Sequence, residues 1–120
     1  MSLKDTLNGT IVHVEGALAA YVMAYDGIAI DEVVKSDSGF DLQLLSVEYA
    51  TVLRGIKRTV EVVKAGQMEE VIVTTSSLIV IMRVLNDELF LVLIMAKDGN
   101  FGKARYMLRL KSFELLRQLG

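Results

Sequence analysis

The stretch LIVIMRVLNDELFLVLIMA, Leu78 to Ala96, decides the fold. Its centre, Asn86-Asp87-Glu88, is a turn-forming triplet that divides it into two runs of strand length. Successive side chains of a strand point to opposite faces. Leu78, Val80 and Met82 therefore lie on one face and Ile79 and Ile81 on the other, and both sets are apolar. The second run repeats the pattern, with Phe90, Val92 and Ile94 beside Leu89, Leu91 and Leu93. A strand that is apolar on both faces lies between two layers.

Upstream, Glu70 to Thr75 precedes Ser76-Ser77 and reads as a third strand, completing a meander. Downstream, the loop Lys97 to Asn100 leads to a helix from Phe101 to Leu119, with Phe101, Ala104, Leu108, Leu115 and Leu119 along the sheet-facing stripe. Before the meander, Leu42, Leu45, Tyr49, Val52, Leu53, Ile56, Val60 and Val63 define the broad core face of a long helix over Leu42 to Lys64, with Asp41 as N-cap. Earlier still, Asp26-Gly27 separates Ala17 to Tyr25 from Ile28 to Val34. This predicts a hairpin with a two-residue turn and positive φ at both central residues. Leu3, Leu7 and Ile11 mark a short first helix, started by Ser2 and Asp5. The expected order is α-β-β-α-β-β-β-α: an α/β fold, a three-layer α/β/α sandwich around a five-stranded, largely antiparallel sheet, forming one domain over residues 1–120.

The long helix carries a second stripe, Leu44, Val47, Thr51, Gly55 and Val62, flanked by Glu48, Arg54 and Arg58. A helix with two apolar faces has two neighbours. Gly55 lowers helix propensity by about 1 kcal/mol relative to Ala, and a missing side chain there admits the close approach of another helix. Composition agrees: 52% of the residues are hydrophobic and the mean hydropathy is +0.44, so a partner subunit is expected to cover part of the surface.

With no Cys and a single His, His13, the chain has no disulfides, no Cys-ligated zinc or iron–sulfur site and no thiolate chemistry. Residues 1–48 hold eight acids and two bases, and residues 49–120 seven acids and eleven bases, a net charge of −2. That balance argues against nucleic acid as a partner. The uninterrupted apolar run from Leu89 to Ala96 is far shorter than the roughly 20 residues of a membrane span. The start MSLKDTLNG lacks a signal-peptide core, and a cytoplasmic location is expected.

Little points to catalysis. Asp98 to Lys103 lies between a strand and a helix, where phosphate loops occur, but two residues separate its glycines and Ala104 stands where a magnesium-binding Ser or Thr belongs. Of the adjacent acids, Asp31-Glu32 point to opposite faces of a strand and Asp87-Glu88 occupy a turn. His13 has no second ligand or adjacent nucleophile. No enzyme activity, metal or cofactor is expected.

Taken in order, the hairpin AYVMAYDGIAIDEVV (Ala20 to Val34), the long helix, the strand and turn ELFLVLIMAKDGNFGKARYML (Glu88 to Leu108) and the final amphipathic helix resemble the Roadblock/dynein-light-chain family, and within it the bacterial MglB-like regulators. Gly102 and Arg105 fit the family's Gly-x-x-Arg pattern. The resemblance implies a homodimer in which the long helices pair antiparallel and the first strand after them continues the sheet into the mate. Leu44, Val47, Thr51, Gly55, Val62, Val71 and Val73 then form the interface. It also implies a non-catalytic platform for a Ras-like small GTPase, with GTP hydrolysis stimulated in some members. Arg54, Lys57 and Arg58, flanking the seam, are the expected partner contacts. The alternative is a scaffold subunit of a motor or signalling complex, or a small-ligand sensor.

Overall fold

The computed structural model describes residues 3–35 and 39–119. Eight elements follow the expected order: α1 (Leu3–His13), β1 (Ala17–Ala24), β2 (Ala29–Val34), α2 (Leu42–Val62), β3 (Glu70–Thr74), β4 (Leu78–Val84), β5 (Leu89–Ala96) and α3 (Phe101–Leu119). The strands form one antiparallel sheet in the order β2-β1-β5-β4-β3. The decisive stretch sits at its centre, with Val80 opposite Ile94, Ile81 opposite Leu93 and Met82 opposite Val92.

Both faces of that stretch are buried. Ile79, Ile81, Leu91, Leu93 and Met95 pack with Leu7, Ile11, Ala104, Leu108 and Leu115 of α1 and α3. The alternate set Val80, Met82, Phe90, Val92 and Ile94 packs with Leu42, Ala50 and Leu53 of α2. Strand parity thus produces two cores and three layers. Asp41 caps α2 as expected, its carboxylate accepting from the Leu44 amide at 3.0 Å. The Ser2 cap lies outside the described residues.

Three expectations are corrected. The hairpin turn is one residue longer: the Ala24 amide donates to the Ile28 carbonyl at 2.9 Å and the Gly27 amide to the Ala24 carbonyl at 2.9 Å, enclosing Tyr25, Asp26 and Gly27. Only Gly27 has positive φ, at 93°. This is the three-residue loop ending in a left-handed glycine, an equally good match to the strands' twist. Helix α2 ends at Val62, short of the expected Lys64, so that Val63 is its C-cap, and both Val52 and Val63 face solvent rather than the sheet. The buried line is Leu42, Ser46, Ala50 and Leu53, because a helix lying close to a sheet seats its small residues beneath it.

The Asp98 to Lys103 segment is a packing junction. The Ala96 amide donates to the Gly16 carbonyl at 2.8 Å and the Asn100 amide to the Glu15 carbonyl at 3.0 Å. The Asn100 side chain accepts from the Lys103 amide at 3.1 Å, capping α3. Among the described residues, no helix is long and apolar enough to cross a membrane.

Candidate functional site: the outer face of helix α2

With Leu42, Ser46, Ala50 and Leu53 turned to the sheet, helical geometry places the second stripe on the opposite side. Leu44 is 55% exposed and Val62 69% exposed, with Val47, Thr51 and Gly55 also exposed between them. Val52 and Val63 widen this apolar surface along one flank. A Cβ built on Gly55 meets nothing within 4 Å, so nothing in the chain's own packing requires glycine there. The β3 strand lies at the sheet edge, its Val71 and Val73 half-buried on the α2 side. An unpaired strand edge and an exposed apolar helix face therefore belong to the same side of the molecule.

The three cations are placed differently from one another. Arg54 donates to the Tyr25 carbonyl at 3.1 Å. Lys57 is half-buried and donates to the Asp87 carbonyl at 3.0 Å, its ammonium lying 4.8 Å from the centre of the Tyr25 ring. These two clamp the β1–β2 and β4–β5 turns to α2. Arg58 is exposed and makes no hydrogen bond or ion pair among the described residues. A cleft of about 450 Å³ opens beside Lys57, between Glu61, Met68, Arg83 and Asp87. Among the described residues, no three His, Asp or Glu side chains are grouped to hold a metal ion.

Tyr25 packs against Phe90 with ring centres 5.0 Å apart. Its buried hydroxyl has no hydrogen-bond partner among the described residues. Burial, with Asp87 and Glu61 adding repulsion, pushes its pKa up to about 12. Burial, followed by Glu32 and Asp41, does the same for Tyr21, also up to about 12. Each phenol ionises near 10 once unfolded and near 12 while folded, so the unfolded chain loses its protons first. The associated stability is complete below pH 10 and is lost as the pH rises to about 12. Denaturant midpoints are expected to fall across this window, with tyrosinate absorbance from these two residues appearing together with unfolding. Ionisation of both near pH 10 in the folded protein would contradict the burial argument.

No model of a protein family matches the sequence, and no curated protein does. Among solved structures, MglC from Myxococcus xanthus is 39% identical, over 98% of this chain and 99% of that one, with a TM-score of 0.72. The chain belongs to the Roadblock family. A Roadblock/LC7 domain from Streptomyces avermitilis superposes with a TM-score of 0.82 at 12% identity, over 99% of this chain and 98% of that one. The gliding protein MglB from Thermus thermophilus does so at 0.84 and 15%, over 97% of this chain and 87% of that one. At those identities the likeness is one of fold.

The Roadblock pattern residue Arg105 has a visible role. Its Nε donates to Glu70 Oε1 at 2.8 Å while Arg83 donates to Glu70 Oε2 at 3.1 Å, so one carboxylate ties α3 and β4 to the edge strand β3. Glu70 was not singled out from the sequence, because its partners stand 13 and 35 residues away. The Glu70 side chain is only 11% exposed and that of Arg83 18%. Glu70→Gln is expected to lower unfolding free energy by about 2 kcal/mol, between the values for surface and buried pairs. Urea denaturation checks this, and an unchanged midpoint would mean that water replaces the pair without loss.

Proposed function

We propose that this Roadblock protein is a non-catalytic homodimeric platform for a Ras-like small GTPase: two chains pair through the outward face of α2, and the GTPase is engaged by the cations beside that seam. The observation that carries the reading is that this face is apolar and exposed along the length of the helix. Antiparallel pairing of two such helices buries the stripe and extends the sheet through β3. It also sets two copies of Arg58 beside one two-fold axis, in a composite cationic surface. Arg54 and Lys57 shape that surface through the turns they hold. The nature of the partner is what the family resemblance implies, and the non-catalytic role is supported by a sequence that carries no recognised catalytic motif.

The test is retention of proteins from the native host's lysate on the immobilised chain, with and without a non-hydrolysable GTP analogue. The reading expects a small Ras-like GTPase held only with the analogue. Single-turnover hydrolysis then shows whether the bound GTPase is accelerated. Arg58→Glu is expected to weaken that complex about tenfold. Because Arg58 shares a helical face with Thr51, Gly55 and Val62, the variant's mass by light scattering is read alongside, and the loss counts for the GTPase contact only where the dimer is kept. If no GTPase is retained in either nucleotide condition, the proposal fails.

A further inference from the structure

The opposite layer has an outward face that α2 and its partners do not explain. In α3, the buried residues Ala104, Leu108, Ser112 and Leu115 mark the sheet side. Tyr106, Leu110 and Phe113, at helical spacings of four and three, stand on the other side and are 62%, 51% and 67% exposed. A helix that only covers a sheet turns charge outward; this one turns out two aromatic rings and a leucine. Around them, Lys103, Arg109 and Arg117 are exposed and form no ion pair among the described residues. The remaining cations of α3 are engaged, Arg105 by Glu70 and Lys111 by Glu114. Glu114 is the only acid in the helix.

We propose that the outward face of α3 docks an acidic amphipathic helix of another protein. Its apolar anchors, spaced i, i+3 or i+4, i+7, would cover Tyr106, Leu110 and Phe113, and carboxylates on its flanks would pair with Lys103, Arg109 and Arg117. From Lys103 to Arg117 the surface runs about 21 Å, four turns of helix. Aromatic residues with arginine at their margin are the composition of interface hot spots. Charge selects the occupant. A second copy docked by two-fold symmetry on the same face brings like cations together. An anionic bilayer spans the whole layer and also meets α1, where the exposed charges of Lys4 and Asp5 offset each other and Glu15 after the helix is repelled. A partner helix roughly 10 Å wide covers the α3 stripe alone. This inference does not depend on how α2 is used.

The probe is a fluorescent synthetic peptide with Leu and Phe at those anchor spacings and Glu on both flanks, titrated into the full chain beside a scrambled peptide of equal composition. The amphipathic peptide is expected to bind about tenfold more tightly than the scrambled one, and more weakly as salt rises. Phe113→Ser, and separately Arg109→Glu with Arg117→Glu, are each expected to weaken binding about tenfold with circular dichroism unchanged. These side chains are exposed, so the fold does not rely on them. No saturable binding, or binding indifferent to both variants, overturns the proposal. Phosphatidylserine vesicles retained in place of the peptide and lost with Phe113→Ser overturn it in favour of a membrane surface. A mass by light scattering that falls with Phe113→Ser overturns it in favour of a second copy.

Discussion

Replacing Gly16 by alanine is expected to cost the fold about 3 kcal/mol, the sum of a left-handed backbone forced on a residue with a side chain and weakened junction hydrogen bonds. Gly16 has φ of 87°, and a Cβ there would stand 2.6 Å from the Gly99 Cα. The obstacle is backbone and cannot swing aside. It is also reciprocal, since a Cβ on Gly99 would meet the Glu15 carbonyl oxygen at 2.7 Å. Separating the two loops strains the Ala96–Gly16 and Asn100–Glu15 hydrogen bonds, which join the start of β1 to the end of β5 and the start of α3. Against a total stability of about 5–15 kcal/mol, the loss lowers the melting temperature by roughly 10 °C. Gly9→Ala is the control: in mid-helix, with nothing within 4 Å of its Cβ, it is expected to raise stability by up to about 1 kcal/mol. Equal melting temperatures for Gly16→Ala and the unaltered chain would show that the junction yields.

The Gly16–Gly99 contact shows where sequence reasoning stops. Strand parity in β4 and β5 depends on residues two apart, and the bounds of β5 and α3 agree with those expected because a single local pattern fixes each. A contact between glycines in loops at opposite ends of the chain leaves no such trace, nor does a carboxylate shared by Arg83 and Arg105. On α2, the error with Val52 and Val63 has a physical cause: hydrophobicity favours large side chains, whereas close packing on a sheet favours Ser46 and Ala50. Ser46 is admitted to the core because its hydroxyl donates to the Leu42 carbonyl at 3.0 Å. The Asp-Gly pair located the hairpin but not its length, since a left-handed glycine serves both kinds of turn. For the candidate site, the stripe from Leu44 to Val62 was legible because its period is helical. The tethering of Arg54 and Lys57 was not, because the carbonyls they reach belong to turns about 30 residues away.

Gly55→Leu is expected to act in opposite directions on the folded chain and on the proposed dimer. Within one chain a side chain at Gly55 points into open space, and leucine is the better helix former, so the fold gains about 1 kcal/mol. Across an antiparallel seam, glycine permits an interaxial distance near the lower end of the usual ~8–10 Å, and leucine pushes the helices apart. Overpacking of this kind costs about 1–3 kcal/mol, at least a tenfold rise in the dimer dissociation constant when two copies meet at the axis. Light scattering over a dilution series reads the second effect, and thermal melting at the lowest concentration reads the first. The concentration dependence of melting joins them: a chain stabilised by its mate melts higher as it is concentrated, and in Gly55→Leu that dependence is expected to weaken while the dilute melting point rises. A variant that melts higher yet keeps the full mass at every dilution would place Gly55 outside the seam. The exposed surface from Leu44 to Val62 would then need a partner other than a second copy.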